Sequence, residues 1–290
     1  MVKKSYVIAG PTASGKSDFA HKLAKRLGGT IINADSVQIY RGIENISASP
    51  LAGQETSDGG CVIDGVPYKL FSVRDLSEQV TIVDYLEMAR AEFDAAEVPI
   101  FVGGSGYYIG ALLSGISPIP AVSPGNRERA RKMVAEAPDA ARKLTDFEFT
   151  DPQRMTRALE VFLETGRPIS EWQKLSRTGA VCPAALKILI SPPAGVLESR
   201  IRARLESMLG RGGTDEVRNH MEFRARAIGI DEIGKYISGA ETLEQALENW
   251  AVRTRRYAKR QRTWFKNQYA PDMTIPRVPT DKDLEYVPGR

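Results

Sequence analysis

Residues 6–17 read Tyr-Val-Ile-Ala-Gly-Pro-Thr-Ala-Ser-Gly-Lys-Ser. The apolar run Tyr6-Val7-Ile8-Ala9 leads straight into a complete G-x-x-x-x-G-K-[ST] phosphate loop made of Gly10, Pro11, Thr12, Ala13, Ser14, Gly15, Lys16 and Ser17. Gly10 and Gly15 permit a turn tight enough for several backbone N–H groups to face one anion, Lys16 adds a point charge, and the Ser17 hydroxyl suits Mg²⁺. From Asp18 to Leu27 the apolar Phe19, Ala20, Leu23, Ala24 and Leu27 recur at helical spacing, so the loop opens a helix whose positive end faces the anion. Strand, loop and helix in this order mark a diphosphate site. Which diphosphate it holds is a separate question.

Outward from the loop the chain alternates strand and helix. Thr30 to Asp35 reads as a second strand ending in an acid, and 42–68, with Gly59-Gly60 and Gly65-Val66-Pro67, as a long surface loop or short hairpin. A helix is expected over 82–96, a buried strand over Pro99 to Gly104, and a helix over 105–113. That alternation predicts a parallel sheet with ligands at the carboxyl ends of its strands. Three prolines between Ser117 and Pro124 then form a stiff exit, and 125–178 reads as helical, with Asp151-Pro152 a start signal and Gly166 a stop. A strand resumes at 186–190, followed by helices at 194–208, 231–237 and 242–267. The expected architecture is an α/β fold like that of phosphate-loop NTPases: a parallel sheet flanked by helices (1–117 and 185–290) carrying an all-helical insertion domain (118–184).

The 290 residues, 42% hydrophobic, suffice for a substantial core. No run of 18 apolar residues occurs and the first strand follows the N-terminus without a signal-peptide pattern, so a cytoplasmic protein with no membrane partner is expected. Cys61 and Cys182, beside only His21 and His220, give neither a disulfide framework nor a zinc spacing. Net charge is only +4, but Arg253 to Lys266 is dense in Lys and Arg, has no acid, and interleaves Tyr257, Trp264 and Phe265. Cations neutralise phosphates while rings pack or stack, which fits a polyanion surface better than a solvated helix face. Smaller basic groups lie at Arg127, Arg129, Arg131 and Lys132, and at Arg200, Arg202 and Arg204.

Asp35, at a strand end, is either a cap and Mg²⁺ support or a second functional acid, with Gln38 offering an amide that can pair with a base edge. Gly103-Gly104-Ser105-Gly106-Tyr107-Tyr108 puts a hydroxyl at the tip of the central strand, its glycines serving either packing or close approach to a ligand. Arg154 and Arg157, one helical turn apart, either grip phosphates or face water. Tyr107 and Tyr108 are equally suited to stacking and to core packing.

Five segments taken together resemble the tRNA dimethylallyltransferases, also called tRNA isopentenyltransferases, of the bacterial type. They are Gly10 to Ser17, Asp35-Ser36-Val37-Gln38-Ile39-Tyr40, Val102 to Tyr108, Arg154 to Val161, and Thr254 to Trp264, in order along nearly the full chain. The resemblance implies transfer of the dimethylallyl group from dimethylallyl diphosphate to N6 of the adenosine 3′-adjacent to the anticodon, with release of diphosphate. It implies Asp35 as general base and Ser105 near the reacting groups, where the family usually has Thr. Lys16 and Arg226 would lie on the diphosphate, and Mg²⁺ on Ser17. tRNA contacts are implied for Asp35, Ser36, Val37, Gln38, Ser105, Arg127, Gln153, Arg154, Met155, Thr156 and Arg157. The insertion is thereby expected to touch tRNA, and Arg253, Arg255, Lys259 and Arg260 to meet its backbone. The implied partners are a tRNA anticodon stem-loop and dimethylallyl diphosphate; the protein itself is expected to be a monomer.

The chain departs from the family pattern at Asn45-Ile46-Ser47-Ala48-Ser49-Pro50, where a cation is missing, at Tyr68-Lys69-Leu70 and at Gly229-Ile230-Asp231-Glu232. These put local tRNA contacts in question more than the reaction. The competing reading is a phosphate-loop kinase of a nucleotide or small metabolite with 118–184 as its lid. It explains the loop but not the basic aromatic helix.

Overall fold

The computed structural model describes residues 3–54, 60–145, 151–223 and 226–289. Its elements in order are β1 (Tyr6–Ala9), α1 (Lys16–Leu27), β2 (Thr30–Asn33), β3 (Gly60–Ile63), β4 (Val66–Lys69), α2 (Ile82–Ala95), β5 (Pro99–Gly103) and α3 (Gly106–Ser114). There follow α4 (Pro124–Glu136), α5 (Pro138–Leu144), α6 (Pro152–Thr165), α7 (Ile169–Lys174), β6 (Leu186–Ile190) and α8 (Ala194–Met208). The chain closes with α9 (Thr214–Asn219), α10 (Ile230–Ile237), α11 (Leu243–Gln268), β7 (Met273–Ile275) and α12 (Asp281–Glu285). The 42–68 region contains the β3–β4 hairpin; residues 55–59 within it lie outside the described residues.

Among the described residues seven strands form one sheet in the order β3-β4-β2-β5-β1-β6-β7. Every pairing is parallel except that of β3 with β4. β1 and β5 are buried along their whole length, which is why both read as uninterrupted apolar runs. The parallel order puts the ends of β1, β5 and β2 on one edge. Three segments therefore leave the sheet side by side: the phosphate loop, the turn Gly104-Ser105, and Ala34-Asp35. Behind that edge Phe19, Ala20 and Leu23 of α1 pack on Tyr6, Ile8, Ile31 and Ile100, so the expected helical face is the one that is buried.

The glycine run after β5 is set by close approach. A Cβ on Gly103 would stand 1.9 Å from the Ala34 carbonyl oxygen, and one on Gly104 would stand 2.3 Å from Gln261 Nε2 and 3.1 Å from the Gly10 carbonyl. The β2, β5 and β1 ends can come together only because these positions lack side chains. On the other side of the sheet edge α11, started by a Thr242–Gln245 capping box, lies with Gln261 buried between the loop and the turn.

The chain divides into two compact units, Met1–Leu113 with Val181–Arg290, and Ser114–Ala180. The second unit, four residues displaced at each border from the expected 118–184, is helical with its own core. Ala130, Ala141, Met155 and Leu159 form one cluster, and Ala158, Val161 and Ile169 another. Asp151 caps α6 by accepting from the Gln153 and Arg154 amides at 2.8 and 3.3 Å, Pro152 occupies its first turn, and Gly166 closes it with φ of +68°.

Replacing Gly103 by Ala forces a methyl into main-chain atoms of the neighbouring strand. Overpacking against backbone costs about 1–3 kcal/mol, so Gly103→Ala is expected to lower the urea midpoint by at least the low end of that range. An unchanged midpoint would contradict this packing.

Candidate active site

The phosphate loop leaves β1 at Gly10 and turns through two left-handed residues, Ala13 at φ +63° and Gly15 at φ +91°, before α1 begins at Lys16. Such turns gather backbone N–H groups toward one point. Two outside helices hold the loop. From α11, Gln261 accepts from the Thr12 amide at 2.9 Å and donates to the Gly104 carbonyl at 2.9 Å, joining the loop to the turn after β5. From α8, Arg200 Nε donates to the Ala13 carbonyl at 2.8 Å and Arg204 Nη1 to the Thr12 hydroxyl at 3.1 Å.

A cavity of about 300 Å³ opens over the loop. Thr12, Lys16, Ser17 and Arg204 line one part; Ile46, Ile201, Leu205, Met208 and Trp250 line another; Asp35 and Tyr257 also face it. Among the described residues Asp35 is the only carboxylate in the lining. Lys16 is pushed down to about 8, mainly by burial, with Arg204 adding repulsion and Asp35 partly opposing it. Arg204 is pushed down to about 10, again mainly by burial. Both side chains keep some exposure because they face the cavity, yet protein surrounds them on their other sides.

The strand-end acid is held in place. Its backbone N–H donates to Asn33 Oδ1 at 2.8 Å and its Oδ1 accepts from the Val37 amide at 3.0 Å, leaving the second carboxylate oxygen without a described partner. Ser105, almost fully buried, accepts from the Ser36 amide at 2.9 Å and lies 3.1 Å from the Ser36 hydroxyl. Tyr257 faces the same cavity beside this group, and burial pushes its phenol well above the ordinary value. Gln38 differs from its expected use: its amide donates to the Ser47 and Ala48 carbonyls, both at 3.0 Å, so its donors shape the 44–49 loop.

The structure thus brings Lys16, Ser17, Asp35, Ser36, Val37, Gln38, Arg226, Arg253 and Arg260 to one cavity, with Ser105 beside it. Arg226 is engaged by the Tyr40 hydroxyl at 3.0 Å, by the Tyr40 ring and by the Glu78 carbonyl. Arg253 pairs with Glu232 and Asp231, and Arg255 with Glu198 and Glu248, so part of the basic run is matched by acids that its own sequence lacks. Lys259 and Arg260 are exposed, the latter over the Tyr257 ring. In the helical unit Arg127, Gln153 and Arg154 are exposed, Arg157 pairs with Glu160, and Thr156 donates to the Pro152 carbonyl. Met155, 3% exposed, serves the core of that unit and offers no contact surface. Tyr108 is likewise a core residue, stacked on Tyr85, whereas Tyr107 is exposed.

Sequence reasoning missed the part played by Arg200, Arg204, Gln261 and Tyr257. The arginines did stand out as a basic group at i, i+4 spacing, which places them on one helix face; nothing local said that this face meets the loop. The family-divergent segments have internal explanations. Glu216 on α9 accepts from the Asn45 and Ile46 amides and from Asn45 Nδ2, at 2.8–2.9 Å, and so fixes the loop that brings Ile46 to the cavity. Glu232 caps α10 at Gly229 while Ile230 is fully buried, and the Tyr68 hydroxyl meets His21 Nδ1 at 2.9 Å.

Removing the Glu216 acceptor strands two backbone donors, a loss of about 1–3 kcal/mol. Glu216→Ala is therefore expected to speed hydrogen exchange at the Asn45 and Ile46 amides by tenfold or more, an effect of roughly 1.4 kcal/mol, while β5 amides stay protected.

A family model described as IPP transferase matches residues 38–268, and one described as isopentenyl transferase matches residues 3–57. A tRNA dimethylallyltransferase of Acidiphilium cryptum is 38% identical, covering 92% of this chain and 85% of its own length. That of Zymomonas mobilis is 38% identical, covering 90% and 87%. Among solved structures, the tRNA isopentenylpyrophosphate transferase of Bacillus halodurans superimposes with a TM-score of 0.68 at 28% identity, covering 98% of this chain and 93% of the other. A eukaryotic dimethylallyltransferase acting on tRNA does so with a TM-score of 0.70 at 25% identity, covering 91% and 70%. A phosphate loop on a parallel sheet, an acid one strand away and a match along most of the chain lead to one conclusion: this chain belongs to the IPP transferase family of tRNA dimethylallyltransferases.

Proposed function

We propose that the chain transfers the dimethylallyl group of dimethylallyl diphosphate to N6 of the adenosine 3′-adjacent to the anticodon of a tRNA, releasing diphosphate. The observation that carries this reading is the make-up of the cavity. Cations and the phosphate loop line one part, aliphatic side chains another, and among the described residues a single carboxylate faces it. A diphosphate ester with a short branched hydrocarbon tail matches that composition. A phosphate-loop kinase relies on carboxylates both for its metal and for the accepting hydroxyl, and Asp35 is the one carboxylate among the described lining residues.

In this reading the adenine amine attacks C1 of the allyl group, the C1–O bond breaks, and its electron pair leaves with the diphosphate. The amine is a weak nucleophile because its lone pair is delocalised into the ring, so its proton must pass to a base as the C–N bond forms. The setting of Asp35 supports that role, one oxygen accepting from the Val37 amide and the other having no partner among the described residues; a general base contributes about 10²–10⁴-fold. The loop amides and Lys16 meet the charge gathering on the diphosphate. Among the described residues no cluster of three or more metal-ligating side chains exists. Mg²⁺ would be held on the protein side by the Ser17 hydroxyl, in keeping with its habit of taking few protein ligands, and would supply positive charge toward the leaving diphosphate.

An adenine stacked in an anticodon loop is out of reach and must be drawn out, at about a few kcal/mol. Lys259 and Arg260 on α11, and Arg127, Gln153 and Arg154 on the helical unit, are exposed and assigned to the tRNA backbone that supplies this energy. No helix among the described residues is long and apolar enough to cross a membrane, and a tRNA substrate puts the reaction in the cytoplasm.

The reading is tested by incubating the protein with an unmodified anticodon stem-loop, Mg²⁺ and dimethylallyl diphosphate without ATP. Mass spectrometry of the digested nucleosides is expected to show prenylated adenosine; its absence, with ATP consumed instead, would favour the kinase. Asp35→Asn is expected to cut turnover by about 10²–10⁴-fold while tRNA affinity stays. Lys16 sets a pH dependence: only its charged form attracts the diphosphate, and its pKa in the free protein is about 8. Diphosphate affinity is accordingly expected to be level below that value and to weaken as pH rises through it, with proton uptake on binding measurable by calorimetry in buffers of different ionisation heat.

A further inference from the structure

We infer that the strap of residues 276–289 positions the phosphate loop, and that Asp283, the residue that folds the strap, governs diphosphate affinity through Gly15 without touching the ligand. The inference rests on the diphosphate site of the proposed function and adds a remote support to it. After β7 ends at Ile275 the chain runs the length of α1. Val278 and Pro279 lie at Gly15, Asp281 meets Lys22 at 2.8 Å, and the Val287 carbonyl accepts from Arg26 at 2.7 Å.

The strap is fastened at both ends. Ile275 pairs with Ile190 of β6, while at the far end Arg26 also donates to the Leu284 carbonyl and the Tyr6 hydroxyl to the Pro288 carbonyl at 2.7 Å. Val287, 1% exposed, belongs to the core of the sheet. Between these ends the buried Asp283 uses both of its oxygens. It accepts from Arg277 Nη1 and Nη2 at 2.5 and 2.8 Å, and from the Thr280 amide and hydroxyl at 2.7 and 3.0 Å. Arg277 foremost, helped by Thr280, holds this carboxyl down to about 2 against the opposing effect of burial. Residues 277–283 are thereby closed into one turn, with Val278 and Pro279 between its tied points.

That turn backs the phosphate loop at the residue that has no side chain to be held by. A Cβ on Gly15 would stand 3.2 Å from Pro279 Cδ and 3.5 Å from Val278 Cγ1, with Arg200 Nη2 next at 3.9 Å. Gly15, at φ +91°, turns the loop into α1, and its conformation aims the amides that follow it at the anion. Gln261 and Arg200 fasten the earlier Thr12 and Ala13. A loop already held in its binding conformation loses less freedom when the ligand arrives, so affinity is kept. Among the described residues no member of the strap lines the cavity, and its effect on a ligand there must pass through the loop.

The test compares wild type, Asp283→Ala and Pro279→Gly. It reads the Kd of inorganic diphosphate, the Kd of an anticodon stem-loop, and hydrogen exchange at the amides of residues 14–17 and in the strap. Both variants are expected to bind diphosphate at least about tenfold more weakly and to exchange faster at residues 14–17, with stem-loop affinity unchanged. Coupling between two sites is reciprocal. Saturating diphosphate is therefore expected to slow exchange of the Thr280 and Asp283 amides in the wild type by about the factor that Asp283→Ala takes from the affinity. A diphosphate Kd within about threefold of wild type in both variants would overturn the assignment, and so would strap amides that do not respond to diphosphate. If Asp283→Ala does not fold, Pro279→Gly, which leaves the strap's fastenings in place, decides with the wild type. A wild type that binds diphosphate but forms no prenylated adenosine would sink the proposed function and leave these readings to decide on the strap. If the wild type binds no diphosphate, the proposed site fails by itself, and unchanged exchange at residues 14–17 in Pro279→Gly would separately overturn the strap as a support of the loop.

Discussion

The site depends on one side chain that satisfies two strand ends at once. Gln261 accepts from the Thr12 amide and donates to the Gly104 carbonyl. Its amide is buried, and the carbonyl it serves has no side chain in the way because residue 104 is glycine. A hydrogen bond of this kind contributes about 1 kcal/mol net, but leaving its buried partners unmet costs more. Through that single contact the phosphate loop at the end of β1, the hydroxyl of Ser105 after β5, and the long basic helix α11 are held in a fixed relation. Ser105 extends the chain to Ser36 and hence to Asp35. The acid and the loop, one strand apart, thus face a common space instead of merely lying on the same sheet edge.

That space is electrostatically unfinished. Lys16 and Arg204 face it with Asp35 as the only lining acid among the described residues, and burial raises the Tyr257 phenol and opposes its ionisation. Another cation of the same lining, Arg253, is matched by Glu232, and Arg255 on the same helix by Glu198. The contrast between these matched arginines and the cations with no carboxylate pair among the described residues supports the proposed polyanion ligand. The aliphatic side chains of Ile201, Leu205 and Met208, one row along α8, set the rest of the lining. One helix thereby presents a cation and an apolar strip to the same small volume, which suits a substrate that is a polyanion joined to a hydrocarbon.

Much of the fold was legible because its signals are local. The phosphate loop, the apolar runs of β1 and β5, the Asp151-Pro152 start and the Gly166 stop of α6 each report on their own few residues, and each lies where the sequence puts it. The site was legible in its loop and its acid and illegible in its supports. Gln261 lies 157 residues from the carbonyl it binds and Arg204 lies 192 from the hydroxyl it meets, and no periodicity carries information over that distance. The basic run misled for the same reason: Arg253 to Lys266 contains no acid, and the partners of Arg253 and Arg255 come from α8, from α10 and from earlier in α11 itself. Met155 shows the converse, since a position inside a family motif serves the core of its helical unit.

The most direct measurement is a crystal structure with a dimethylallyl thiolodiphosphate, in which a sulfur replacing the bridging oxygen blocks cleavage and marks its own position by anomalous scattering. The account predicts the diphosphate over the amides of residues 10–17 with Lys16 and Arg204 on its oxygens, C1 turned toward the carboxylate of Asp35 with the sulfur on its far side, and the methyl groups against Ile201, Leu205 and Met208. A diphosphate bound away from that loop, or a tail pointing out of the cavity with the aliphatic wall empty, would contradict it.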